Sequence, residues 1–256
     1  MSIKEMVRAV TVADLDDIVR AATALHDHVT SLAEMRVAVS HNIAARRTPV
    51  DATGAFLAET VFGWEDDKSA WWRNARIALH SPIPAACRYE SDVFWVNADG
   101  IRTKLPNHHI DAIDLSNFST LTTALATIVV PIHLPFGQIG AASFNPTDPE
   151  ISDLSEEYEN LGDEFAIVAN AFVRSYVTVI GDTSGLPPQS KLSKREVECL
   201  RWAAVGKTDE EIGIILSRSR ATVRFHIHNA STKLNAVNRS QTVFKAAQLG
   251  YIRFPK

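Results

Sequence analysis

Apolar residues at Leu15, Ile18, Val19, Ala22, Leu25, Val29, Leu32 and Met35 recur at spacings of three and four, and few breakers interrupt residues 11–47. That period places them on one face of an α-helix. From Ala55 the texture changes to runs rich in Val, Ile, Phe and Trp, punctuated by Gly, Pro and Asn: AFLAETVFGW, DVFWVNADG and TIVVPIHLPFGQIGAASF. These runs predict strands, the last folding back at Leu134–Gly137 as a hairpin. Pro131 has no N–H to give to a ladder, which predicts an edge position or a bulge there. Trp71–Leu79 predicts a short helix. After Asn145-Pro146, acidic residues and Ser155 precede Tyr158, Leu161, Phe165, Val168, Ala169, Phe172 and Tyr176 at helical spacing, and acids near a helix start suit its dipole. Helix, mixed sheet, helix predicts an α/β/α sandwich over residues 1–180.

Gly181–Lys191, GDTSGLPPQSK, combines two Gly with consecutive Pro and reads as a linker. Beyond it, residues 192–256 predict a second, smaller, all-α domain of four helices. Ser193-Lys-Arg-Glu196 is a capping box ahead of Val197, Leu200, Ala203 and Ala204, and the stripe stops at Gly206. Thr208-Asp-Glu-Glu211 opens a second helix, with Ile212, Ile215 and Leu216 expected inward. Ser219 offers an N-cap to a third, whose buried stripe is Val223, Ile227, Ala230 and Leu234. Its opposite face carries Arg220, Arg224, Phe225 and His228. The fourth is expected over Ser240–Leu249. Two helices, a tight turn and a third helix presenting Arg and imidazole groups is a helix-turn-helix pattern, although any small helical bundle would show capping boxes and stripes.

Charge sharpens the division. The net charge of −4 conceals 14 Lys+Arg against 25 Asp+Glu in residues 1–191, and 12 against 5 in residues 192–256. A short basic unit on a long acidic one is the footprint of a polyanion-binding module attached to something else. No apolar stretch is long enough to cross a bilayer and no secretory signal pattern opens the chain, so a cytoplasmic address is expected. Cys87 and Cys199 stand alone, without metal-ligand spacing. The run Asn107-His108-His109-Ile110-Asp111 reads as a solvated loop rather than a metal site. No GxSxG, phosphate-cradling Gly loop or HExxH occurs, so neither catalysis nor a cofactor is expected.

Glu196, Leu200, Gly206, Lys207, Glu211, Ile212, Ser219, Thr222, Val223, His226, Lys233, Leu234 and Arg239 fall at the positions of the GerE/LuxR-type helix-turn-helix, which residues 192–246 strongly resemble. The resemblance implies binding to duplex DNA by a homodimer on paired half-sites. Thr208 and Ser219 would aim helix amino termini at phosphates, helped by Thr222 and by the point charges of Lys207 and Lys233. Arg220, Arg224 and His228 would reach base edges, and Phe225 a thymine methyl. His226 is expected to pack and hydrogen-bond, and Cys199 to be core.

For the front unit, Asp16, Asp17, Asp51 and Lys104 imitate a phosphorylated receiver, but the acidic pair lies within a helical pattern. Trp72, Ser81-Pro82, Phe94-Trp95, Val129–His133 and Pro135-Phe136-Gly137 instead follow the order of the autoinducer-binding domain of LuxR-type quorum-sensing regulators. That resemblance implies a site for a small amphiphile, an acyl-homoserine lactone or a related signal, lined by Trp72, His80, Ser81, Trp95, Thr127 and Ser143. Ser81 stands where the family has an Asp that accepts the ligand amide, and a neutral hydroxyl accepts more weakly. A front unit controlled by a protein partner without a ligand is the alternative.

Overall fold

The computed structural model describes residues 1–44, 48–64, 81–122, 124–181 and 191–253. They form two compact units, Met1–Leu134 with Gln138–Asp182, and Pro135–Gly137 with Thr183–Lys256. The predicted helix at Trp71–Leu79 lies outside the described residues.

The first unit begins with a helix the periodicity did not announce. In α1 (Ile3–Val10) the Ser2 hydroxyl accepts from the Glu5 amide, while the Glu5 carboxylate accepts from the Ser2 N–H at 2.8 Å. This Ser-x-x-Glu capping box is plain in the sequence. Helix α2 spans Ile18–Leu32 only, so the helix read over residues 11–47 is too long. Its start is set by Arg20, which pairs with Asp17 and donates to the carbonyls of Ala9 (2.6 Å) and Thr11 (3.0 Å). Leu15 and Val19 are exposed. Met35 is the first residue of strand β1 (Met35–Ser40), whose Met35, Val37 and Val39 alternate at period two. One residue, Met35, satisfied both periods, and strand pairing decided between them.

AFLAETVFGW is not a strand. It contains a single helical turn, α3 (Leu57–Thr60), which buries Leu57 and Ala58. After α4 (Pro82–Ala86) come β2 (Phe94–Asn97) and β3 (Gly100–Thr103), then α5 (Phe118–Leu121). Strands β4 (Ala126–His133) and β5 (Ile139–Pro146) form the expected hairpin around Pro135–Gly137. The sheet order is β1-β5-β4-β2-β3, and every neighbouring pair is antiparallel, which corrects the expectation of a mixed sheet. Parallel neighbours need a long crossover, whereas β2–β3 and β4–β5 return by short turns. Strand β4 is interior, yet its ladder with β2 ends at Val129. Pro131 pairs only with Ala141 of β5, so its missing N–H costs no inter-strand bond on the other side.

Helices α1, α2 and α6 (Ser155–Val179) cover one face of this sheet. Phe144 of β5 stacks on Phe165 of α6 with ring centroids 4.2 Å apart, and Phe172, Tyr176, Leu25 and Ile128 fill the same core. The Tyr176 hydroxyl accepts from the Val50 amide at 2.8 Å and donates to the Val50 carbonyl at 3.2 Å, fastening the loop before α3 to α6. On the other face Phe94, Val96, Val129 and Ala141 meet Ala86, Cys87 and Phe118 from the α4 and α5 regions. The two faces together give the α/β/α layering. Among the described residues no helix is long and apolar enough to cross a membrane.

The Phe144–Phe165 stack ties the sheet to α6, so Phe165→Ala is expected to destabilise the first unit by about 3–5 kcal/mol, the usual loss for an aromatic deleted from a core. Chemical denaturation followed by tryptophan fluorescence measures it, and a loss under 1 kcal/mol would show that the core closes over the gap.

Candidate nucleic-acid interface

The second unit is four helices: α7 (Lys194–Ala204), α8 (Asp209–Leu216), α9 (Arg220–Lys233) and α10 (Arg239–Gln248). Both predicted capping boxes are present. Ser193 accepts from the Glu196 amide at 3.3 Å and Thr208 from the Glu211 amide at 3.3 Å, and each Glu carboxylate accepts the cap residue's own N–H in return. Ser219 caps α9 through the Thr222 amide at 3.1 Å. The fourth helix starts one residue earlier than expected, because Asn238 caps it by accepting from Gln241.

The turn between α8 and α9 is set by backbone contact. Ser217 adopts a left-handed conformation (φ 52°), and Arg218 N–H donates to the Gly213 carbonyl at 2.8 Å. A Cβ on Gly213 would lie 2.7 Å from the Arg218 carbonyl oxygen, so a side chain there would force the turn open. Val223, Ile227, Ala230 and Leu234 are buried as predicted, with Ile212 and Cys199 against them. Ile215 corrects the expectation: it is 41% exposed, and Leu216 is half-buried. Eight residues give α8 only two turns, and α7 and α9 cover just the Ile212 side.

The unit's cations fall into two groups. Lys233 donates to both carboxylate oxygens of Glu196 at 2.9 Å, and the Glu196 side chain is only 4% exposed. Burial pushes the Glu196 pKa up, but hydrogen bonds from Lys233 and Ser193 outweigh it and hold the pKa below its ordinary 4.5. Lys207 pairs with Glu211 at 3.1 Å. The Thr208 backbone N–H, then Lys207 and the Thr208 hydroxyl, pull the Glu211 pKa to about 2. Arg239 pairs with Asp209 and donates to the Lys207 carbonyl at 2.8 Å, tying α10 to the start of α8. Lys245 donates to the carbonyls of Leu234 and Asn235 at the end of α9. By contrast Arg218, Arg220 and Arg224 make no ion pair among the described residues, and all three are exposed.

Of the predicted interface residues, Arg220, Arg224 and His228 lie at successive i, i+4 positions on the open side of α9, and Phe225 beside them is 60% exposed. Thr208, Ser219 and Thr222 stand at helix amino termini. Lys207 and Lys233 are already engaged by carboxylates, whereas the three arginines beside the α8–α9 turn are not. His226 is half-buried, its ring 5.8 Å from that of Phe225.

The residues expected to line a small-molecule site are divided by the sheet. Trp72 and His80 lie outside the described residues. Thr127 pairs with Val96, and Ser143 with Val129, which puts both on the α4/α5 face; buried Ser81 precedes α4 on that side. Trp95 pairs with Ile128 and faces the helix core instead, with the Arg102 guanidinium 5.8 Å from its ring. Adjacent strand residues point to opposite faces, so Trp95 cannot share a pocket with Thr127 and Ser143. The Thr127 hydroxyl donates to the Phe144 carbonyl at 3.1 Å. Asn107–Asp111 is an exposed loop in which His108 lies 3.4 Å from Asp111.

Residues 190–246 match the family model described as bacterial regulatory proteins, luxR family. The second unit is thus similar to the luxR type over those residues. The transcriptional activator VanR of Vibrio anguillarum is 35% identical over 123 residues, 48% of this chain and 50% of VanR. The regulatory protein SdiA of Escherichia coli (strain K12) is 37% identical over 124 residues, 47% of this chain and 49% of SdiA. The chain thus spans about half the length of these curated relatives. A solved structure of SdiA in complex with octanoyl-rac-glycerol covers 98% of this chain and 96% of its own, with a TM-score of 0.53 at 20% identity, and shows that the fold is shared. Within the luxR-type unit, sequence reasoning missed Gly213 and Arg218. A Gly inside a helical pattern and an Arg between two turn serines were the available signals.

Two outcomes follow for the luxR-type unit. Gly213→Ala is expected to cost about 1–3 kcal/mol of its stability, as overpacking does; an unchanged denaturation midpoint would mean that the turn yields freely. Glu196 and Glu211 both have lowered pKa values, so the stability they give is complete above roughly pH 4.5 and is lost as pH falls towards 2. Glu196→Gln should flatten that curve in pH-dependent urea titrations.

Proposed function

We propose that this protein is a DNA-binding transcription regulator, in which the luxR-type unit reads duplex DNA and the α/β unit takes a small amphiphilic molecule. The observation that carries the DNA reading is the separation of cations. Lys233, Lys207 and Arg239 are held by Glu196, Glu211 and Asp209, while Arg218, Arg220 and Arg224, on the turn and open face of α9, make no ion pair among the described residues. Free guanidinium groups on a helix of this kind match guanine O6 and N7 in the major groove, and the amino terminus of α9, whose first turn has no acidic residue, suits a phosphate. A single module of this size makes few contacts, so two copies on half-sites about one helical turn apart supply the specificity, with Gly181–Lys191 as the linker. The small-molecule reading is supported by Ser81, Thr127 and Ser143 on one sheet face among Phe94, Val96 and Val129, and by a protein of the same fold that carries octanoyl-rac-glycerol.

Fluorescence anisotropy of the full chain with labelled duplex DNA tests the reading. Affinity should fall steeply with salt as condensed counterions are released. Arg224→Ala should cost about 1–3 kcal/mol and relax base preference, whereas Lys207→Ala, which removes a cation already held by Glu211, should leave base preference unchanged. Binding that ignores salt would sink the proposal, and equal loss of preference in both variants would overturn the division of roles.

A further inference from the structure

Strand β1 turns Met35, Val37 and Val39 towards the helix core, and strand alternation puts Arg36 and Ser40 on the opposite face. Arg36 is opposite Asn145 on β5, and one step beyond the Ile128–Phe144 pair the register carries that row to Thr127 on β4, which is opposite Val96 on β2. A guanidinium therefore ends a polar row, carboxamide then hydroxyl, on the face that also holds Ser143. It lies 4.9 Å over the ring of Trp64, whose indole N–H is fixed on the Val37 carbonyl at 2.7 Å. Among the described residues its one hydrogen bond is a long one, 3.5 Å to the Gly63 carbonyl, its Nε is buried without an acceptor, and no carboxylate pairs with it.

This is an expensive way to keep a cation. A guanidinium has five donors in a planar fork, and here the Nε donor is buried without an acceptor, so the desolvation of that donor is uncompensated. Neighbouring groups do not relieve it: the Thr127 hydroxyl is spent on the Phe144 carbonyl, and the Asn145 amide reaches Ser143 at 3.3 Å. A carboxylate would satisfy the fork through two parallel charge-assisted bonds, with the Trp64 ring fixing the plane. The buried hydroxyl of Ser81 adds no negative charge to this side of the sheet. Among the described residues, no carboxylate on this face pairs with Arg36.

We propose that Arg36 reads an acidic head group, so that the amphiphile taken by the α/β unit is a carboxylate rather than a neutral lactone. This deepens the small-molecule reading above and rests on it. Calorimetric titration of the full chain with N-decanoyl-homoserine, which has a free carboxylate, and with its closed lactone separates the two, since acyl chain and amide are identical. The acid should bind about ten- to a hundredfold more tightly, the range for a hydrogen bond to a charged group. Arg36→Met should abolish that preference, and Arg36→Lys, which keeps the charge but loses the fork, should retain part of it. The ratio of the two affinities within one variant does not depend on how much of it is folded. A lactone that binds the unchanged protein as well as the acid does, or a preference that survives Arg36→Met, overturns the role of Arg36 and leaves the small-molecule reading standing. Binding of neither compound overturns both.

Discussion

The first unit depends on the two-residue alternation of an antiparallel sheet. Once β5 pairs with β1 on one side and β4 on the other, every side chain in the middle of the sheet is assigned to a face. Val37, Phe144 and Ile128 then form one side of the core against α6, while Ser143, Thr127 and Val96 are committed to the other. A slip of one residue would drive Asn145 and Arg36 under α6 and expel Phe144. The apolar core therefore fixes, at no further cost, where the polar row on the opposite face must lie.

The second unit solves a different problem, how to stay folded while keeping positive charge free. Its carboxylates are few, and two of them stand at helix starts, where each also completes a cap: Glu196 for α7 and Glu211 for α8. A carboxylate so placed gains from the helix dipole and from the cation it holds. The arginines around the α8–α9 turn receive no such partner, and that leaves their donors for something outside the chain.

Capping boxes, the β4–β5 hairpin, α6 and the buried stripe of α9 were legible because each rests on a local pattern within a few residues. The readings that failed depended on what packs against a segment. Met35 suited a helix and a strand equally until β5 chose, and AFLAETVFGW had strand composition but only one turn's length of helix between Pro49 and Gly63. Trp95 looked like a partner for Thr127 because both are large or polar residues in a plausible order, yet order along the chain does not say which way a strand faces. Ile215 failed for the related reason that a two-turn helix offers its neighbours a single side.

The closeness of Gly213 to the Arg218 carbonyl has a consequence for how such a module diversifies. The angle at which α9 leaves α8 is set by backbone meeting backbone, with no side chain of the exposed face taking part. Arg220, Arg224, Phe225 and His228 can therefore be exchanged as a set without reorienting the helix that displays them. Scaffold and lettering are mechanically separate, so one frame can drift between target sequences through substitutions that leave its stability alone.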